Sequence, residues 1–207
     1  MITSIIALIL IVGVLAGPVM SNVEKPDYKV VQSIQNIEIR HYEPMIIAEV
    51  EVQGNRKEAI SNGFRLIADY IFGNNTVKRD IAMTAPVQQK ESQKIAMTAP
   101  VQQKSKGNNW QISFIMPSEY SIKSLPLPNN DRVLLKEIQT KKFVVIEFSG
   151  TNSNENLTKH ENELIKYIEA NNIKITGPPK YAFYNAPWTL PFMRRNEVMF
   201  EIIKFLQ

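Results

Sequence analysis

No cysteine occurs in the 207 residues. That excludes disulfides, thiolate metal sites, a cysteine nucleophile and a lipid-modified N-terminal cysteine. Histidine is nearly absent too, with only His41 and His160. The chain holds no His-Glu-x-x-His, no Gly-x-Ser-x-Gly and no glycine-rich phosphate loop, so the usual sequence signs of metal, acyl-transfer or phosphoryl chemistry are missing. An enzyme would need acid–base groups assembled by the fold, such as Glu197 with Tyr184, and the expectation is a binding protein without catalytic residues. The net charge of +4 is mild and forms no basic stripe with interleaved aromatics, which argues against a nucleic-acid partner. The first charged side chain is Glu24. Before it, Ile5–Leu15 is almost wholly apolar and the run fades by Val19, short of the roughly 20 apolar residues of a spanning helix. Residues 1–21 therefore read as a signal peptide cut after Ala16 or Ser21, as an uncleaved membrane anchor, or, third, as a buried N-terminal segment. The protein is expected to be exported, periplasmic or secreted, or else tethered by this segment, with one domain in residues 22–207 and a monomeric state.

What the chain does have is an unusual duplication. The segment IAMTAPVQQK at Ile81–Lys90 returns unchanged at Ile95–Lys104. Apolar residues alternate along it, as in a strand, yet Pro86 and Pro100 cannot donate to a ladder. Each copy is expected to be an edge strand or a strand running into a loop. Copying that merely lengthens a hairpin explains the repeat as well as a functional constraint does.

The rest of the chain alternates between two periods. Tyr28–Val31, Ile37–Tyr42 and Met45–Val52 read as strands. Ile60, Phe64, Ile67 and Ile71 then form one stripe of a helix, stopped by Gly73-Asn74-Asn75. Lys104–Asn109 reads as a polar connection, Trp110–Met116 as a strand and Ser118–Asp131 as a loop. The second half repeats the order, with strands at Val133–Ile138 and Phe143–Phe148, a helix at Leu157–Ala170, and strands at Tyr181–Asn185 and Glu197–Ile203. Two strand-strand-helix-strand-strand halves, each with one apolar sheet face, bury those faces together. The predicted fold is α+β: a distorted antiparallel β-barrel of two pseudo-symmetric ββαββ halves flanked by two helices. The alternative is two separate small α+β domains.

Five blocks carry a resemblance: IEIRHYEP at Ile37–Pro44, KIAMTAPV at Lys94–Val101, WQISFIMP at Trp110–Pro117, VVIEFSG at Val144–Gly150 and RRNEV at Arg194–Val198. In order and spacing the chain resembles the SOUL haem-binding family from about Tyr28 to Ile203, and its doubled IAMTAPV block looks like the bacterial branch. The resemblance implies a two-fold pseudo-symmetric barrel and non-covalent haem or another tetrapyrrole in a shallow apolar groove. It also implies basic side chains at the propionates. The matching helix positions here are Ser61 and Asp69 and the matching loop position is Leu190, none of them basic. Arg65, Arg194 and Arg195 are the nearby cations.

The groove is expected between the first helix, at Phe64, Arg65 and Ala68, and the loop Ala186–Met193, with Trp188 and Phe192. Phe64 and Ile71 also suit the core. Trp188 and Phe192 either form a binding surface or plug the barrel end. Arg194 and Arg195 make either an anion site or a structural network with Asn196 and Glu197. His41 shares a strand face with Ile37 and Ile39. It is either an iron ligand or an ordinary hydrogen-bonding histidine, and no metal site is required. Met83 and Met97 suit core packing, with haem contact as the alternative. The expected function is to sequester or carry haem, the alternatives being a module for apolar or cationic small molecules that uses no iron and, third, an enzyme acting on a small ligand in the same cleft.

Overall fold

The computed structural model describes residues 23–77 and 92–204. The leader, the first copy of the repeat with Met83, and the last three residues lie outside this range. Eleven strands and two longer helices follow one another among the described residues. In order they are β1 (Tyr28–Ile34), β2 (Ile37–Tyr42), β3 (Met45–Gln53), α1 (Arg56–Ile71), β4 (Asn75–Thr76), β5 (Val101–Lys106), β6 (Asn109–Ile115), β7 (Leu127–Pro128), β8 (Leu134–Ile138), β9 (Lys141–Phe148), α2 (Asn154–Ala170), β10 (Lys174–Phe183) and β11 (Asn196–Lys204).

Nine strands form one curled antiparallel sheet in the order β1-β2-β9-β11-β10-β5-β6-β3-β8, while β4 and β7 pair separately. From the centre outward, β10 and β5 are followed by β11 and β6, then β9 and β3, then β2 and β8. This is an open half-barrel, because β1 and β8 do not meet. The sequence halves do not fold apart. β2 from the first half pairs with β9 of the second, and β8 of the second pairs with β3 of the first. Two separate domains are thereby excluded.

Each helix covers one side of the sheet. Asn55 caps α1 by accepting from the Glu58 amide, and Ser153 caps α2 by accepting from the Asn156 amide, which satisfies donors that a helix start leaves unpaired. Under α1, Ile67, Tyr70 and Ile71 pack on Val50, Ile112 and Phe114. Under α2, Leu157, Leu164 and Ile168 pack on Val144, Ile146, Val198 and Phe200. A third cluster, Tyr42, Phe143, Val145, Ala182, Tyr184 and Met199, lies on the opposite, concave face, because alternate strand residues point to opposite faces.

The helix stripe needs correction. Ile67 and Ile71 are buried, but Ile60 is only half-buried and Phe64 is 39% exposed. The inward face runs instead through Ala59 and Gly63. Gly63 is the reason: a Cβ there would lie 2.9 Å from Cγ1 and 3.0 Å from Cβ of Ile112. The helix thus sits closer to β6 than any side chain at 63 allows. Gly63→Ala is expected to lower stability in chemical denaturation. The helix-propensity gain of about 1 kcal/mol is outweighed by overpacking, which costs about 1–3 kcal/mol in a filled core.

The second copy of the repeat also departs from expectation. Residues 95–100 are irregular, and the strand begins only at Val101, after Pro100. β5 is then a central strand between β10 and β6, not an edge, because the proline precedes the ladder instead of interrupting it. The irregular stretch is fixed by Ile95 N–H donating to Ile71 O and Ala99 N–H donating to Glu24 O, and by the Thr98 hydroxyl donating to Ile115 O. Met97 is 40% exposed, so core packing fails for it. β10 also starts seven residues before the expected Tyr181. Gly177-Pro178-Pro179 reads as a breaker, but the chain absorbs it in a bulge between Thr176 and Lys180, with Gly177 at φ +67°, a left-handed angle natural to glycine.

Candidate functional site

An open cleft of about 400 Å³ lies where α1 faces the loop after β10. Its walls are Ile60 and Phe64 from α1, Val101 and Gln103 from β5, Phe183, and Ala186, Pro187 and Arg194 from the loop. Phe64 is held edge-on to Phe114, with ring centroids 5.4 Å apart. Its other side is free to meet a flat apolar ligand. Beyond the Ala186–Pro187 wall, the same loop carries Trp188, 67% exposed, and Phe192, 73% exposed, with Leu190 and Met193 also exposed. Such a group of large apolar side chains on one short loop marks a surface that gains by being covered. The loop does not plug the barrel.

The candidate cations separate. Arg194 lines the cleft, but its guanidinium is bound to its own loop: Nε donates to Thr189 O at 2.7 Å and Nη2 to Pro187 O at 2.6 Å. Arg65 faces a different depression, shared with Asp69 and Arg132. Ala68 is buried beneath α1 and lines no part of the cleft. Ser61 is exposed, and Asp69 accepts from the Asn74 side chain.

Arg195 belongs to a buried network on the concave face. Glu197, fully buried, accepts from Arg195 Nη2 at 2.5 Å and Arg40 Nη1 at 2.8 Å through Oε1, and from the Tyr184 hydroxyl at 2.8 Å through Oε2. Arg40 is 1% exposed, stacks over the Tyr28 ring at 4.4 Å and donates from Nε to Glu38. Burial alone disfavours the Arg40 charge, but Glu197 and Tyr42 overcome it and hold the guanidinium protonated beyond its ordinary range. Burial, then the charge of Glu197, pushes the Tyr184 phenol well above its usual value. The pair named as acid and base is therefore sealed and fully engaged, and it does not reach a substrate.

Neither histidine reaches the cleft. His41 is half-exposed on β2, between Lys29 on β1 and Lys142 on β9. His160 stacks on Phe148 at 4.0 Å, and its Nδ1 is 2.8 Å from Asn156 O. Among the described residues no group of three or more His, Cys, Asp or Glu side chains can hold a metal ion.

Sequence reasoning missed Arg56. It opens α1, donates from Nε to Gln103 Oε1 at 3.0 Å and from Nη1 to Asn152 O and Asn154 Oδ1, and stands 5.8 Å from the Tyr181 and Phe183 rings. Gln103 and Asn152 are themselves cleft walls, so Arg56 places a cation directly behind the cleft. Its Nη2 is buried with no partner among the described residues. The available signal was a cation in a helix's first turn, against the dipole.

This is the fold of a curled sheet with two outer helices. It is shared with the crystal structure of the EcmrR C-terminal domain, at a TM-score of 0.60 and 10% identity, covering 86% of this chain and 99% of that one. A hydrolase from Listeria innocua is similar at a TM-score of 0.52 and 11% identity, covering 83% and 94%. At such identities the likeness concerns fold alone. Residues 23–201 match the SOUL heme-binding protein family, and the chain belongs to that family. It is similar to heme-binding protein 2 of Mus musculus, with 27% identity over 196 residues, covering 90% of this chain and 89% of the mouse protein.

Proposed function

We propose that the protein binds haem or a related tetrapyrrole, without covalent attachment, in the cleft between α1 and the loop Ala186–Met193, and that it sequesters or carries the ligand without transforming it. The observation that carries this reading is the open cleft with Phe64 on one wall and the exposed loop aromatics beyond the other, in a chain of a haem-binding family. A flat ring gains about 25 cal/mol for each Å² of apolar surface removed from water. Propionates at the rim need only partial neutralisation, and Arg194 and Arg56 are the cations beside this cleft. Axial ligation has no part in this reading, since His41 is not among the cleft walls.

Hemin titration of the purified protein is expected to give a saturable Soret change at one ligand per chain. No change up to high micromolar hemin would sink the proposal. Export, or tethering by residues 1–21, is the placement that suits a carrier. Fractionation with N-terminal sequencing of the product separates the two.

One observation favours a second reading, an organic cation bound without iron. A cleft of about 370 Å³ beside residues 24–27 collects Glu24, Asp27, Glu43 and Glu137 against Lys25, over a floor of Met45, Ile46, Ile115 and Ile138. A cationic dye competing with hemin for one site would move the second reading to the α1 cleft. Independent binding of the dye places it in the acidic cleft.

A further inference from the structure

The concave face of the sheet holds a lysine with no counter-ion among the described residues. Lys180 on β10 lies directly across from Lys104 on β5, although like charges facing each other across strands repel. Lys141, on the same cavity wall, already has Glu201, which accepts from it through both oxygens at 2.7 and 2.8 Å. Lys180 forms no ion pair among the described residues. Its Nζ sits 5.0 Å over the Phe143 ring. It lines a small cavity of about 30 Å³ with Tyr42, Met45, Ile47, Ile138, Phe143 and Met199, and with the amides of Gln102 and Gln139. Met45, Ile138 and Gln139 also line the larger cleft beside residues 24–27, so the two spaces are neighbours that share these side chains.

We propose that Lys180 is a carbonyl-reactive amine that captures small apolar aldehydes as an imine at the mouth of this cavity. A lysine becomes nucleophilic when an apolar pocket or a neighbouring cation disfavours its charge, and this one has both. The neutral Nζ lone pair attacks the carbonyl carbon, and the carbonyl oxygen takes up a proton. The carbinolamine then loses water to leave a C=N bond. Gln102 and Gln139 line the same cavity, and their amide N–H groups are the donors available to the carbonyl oxygen. Burial, and then the charges of Lys104 and Lys141, lower the amine from the usual 10.5 to about 8, with Glu201 and Glu49 opposing. At pH 7.5 about one Lys180 in four is then neutral, against about one in a thousand for an ordinary lysine. The lower basicity returns part of that advantage.

The test is reductive trapping on the full chain. Propanal and sodium cyanoborohydride are added at pH 7.5, and the hydride converts any imine to a stable propylamine that peptide mass spectrometry locates. Lys180 is expected to be labelled about tenfold faster than the exposed lysines, with a rate that rises through a midpoint near pH 8. Lys104→Gln removes the facing charge and is expected to slow labelling of Lys180 several-fold at pH 7.5, with no change at pH 10. Lys180→Arg removes the fast site and leaves hemin titration unaltered, since Lys180 is on the opposite face from the α1 cleft. Labelling of Lys180 no faster than that of the surface lysines, or an unchanged rate in Lys104→Gln, overturns the proposal.

Discussion

Glu197→Ala is expected to cost about 3–5 kcal/mol of folding stability, the usual cost of stripping a buried charge of its partner. Arg40, 1% exposed, would keep its positive charge while losing the Glu197 carboxylate at 2.8 Å. The Tyr184 hydroxyl would lose its acceptor, and Arg195 its contact at 2.5 Å. Glu38 at 2.6 Å and Glu147 at 3.8 Å are left to neutralise Arg40, and Glu147 also holds Arg195 at 3.1 Å, but both carboxylates are partly solvated and do not replace a sealed one. Glu197→Gln keeps the acceptor for Tyr184 and is expected to lose less. Urea denaturation of the three proteins checks this ordering. Equal stabilities would show that the network is a passive filling of the concave face.

Trp188→Ala combined with Phe192→Ala is expected to weaken hemin binding about a hundredfold while leaving stability within about 0.5 kcal/mol of the parent, the usual range for surface changes. Both rings are more than half exposed, so the fold does not depend on them. Covering about 100 Å² of either ring with a porphyrin face is worth about 2.5 kcal/mol, of which ordering the loop takes back a part. Arg194→Ala acts differently. Its guanidinium ties Thr189 and Pro187 together, so the loss loosens the loop that presents the aromatics, and the effect on affinity is modest and nearly insensitive to salt. Retained affinity in the double variant, checked by the same Soret titration, would show that the ring binds elsewhere.

Strand and helix existence was legible wherever the apolar period was clean, as in β2, β9 and α2. It failed where one residue type had two meanings. Gly177-Pro178-Pro179 looks like a terminator, yet β10 continues through it as a bulge. Pro100 looks like a reason for β5 to be an edge, yet it stands just outside the ladder of a central strand. At the site, sequence proximity misled. Arg194 and Arg195 are neighbours, but the chain is already extended at Arg194, just before β11, and an extended backbone sends successive side chains to opposite sides, so one lines the cleft and the other joins Glu197. Arg65 and Phe64 part company for the corresponding helical reason. Ala68 falls one turn beyond Phe64, yet it is buried and lines no part of the cleft. Beyond its place in the first turn of α1, nothing in the sequence marked Arg56, because its partners, Gln103, Asn152 and Asn154, lie far along the chain.

The central claim is that a tetrapyrrole is held by apolar contact between α1 and the loop, not by iron ligation. The most direct measurement is a hemin titration of four proteins in parallel: the parent, Phe64→Ala, the Trp188→Ala/Phe192→Ala double variant and His41→Ala. The account expects Phe64→Ala and the double variant to bind more weakly, and His41→Ala to match the parent in affinity and Soret position. Loss of binding in His41→Ala, with parental affinity in the aromatic variants, would contradict it and put axial ligation in its place.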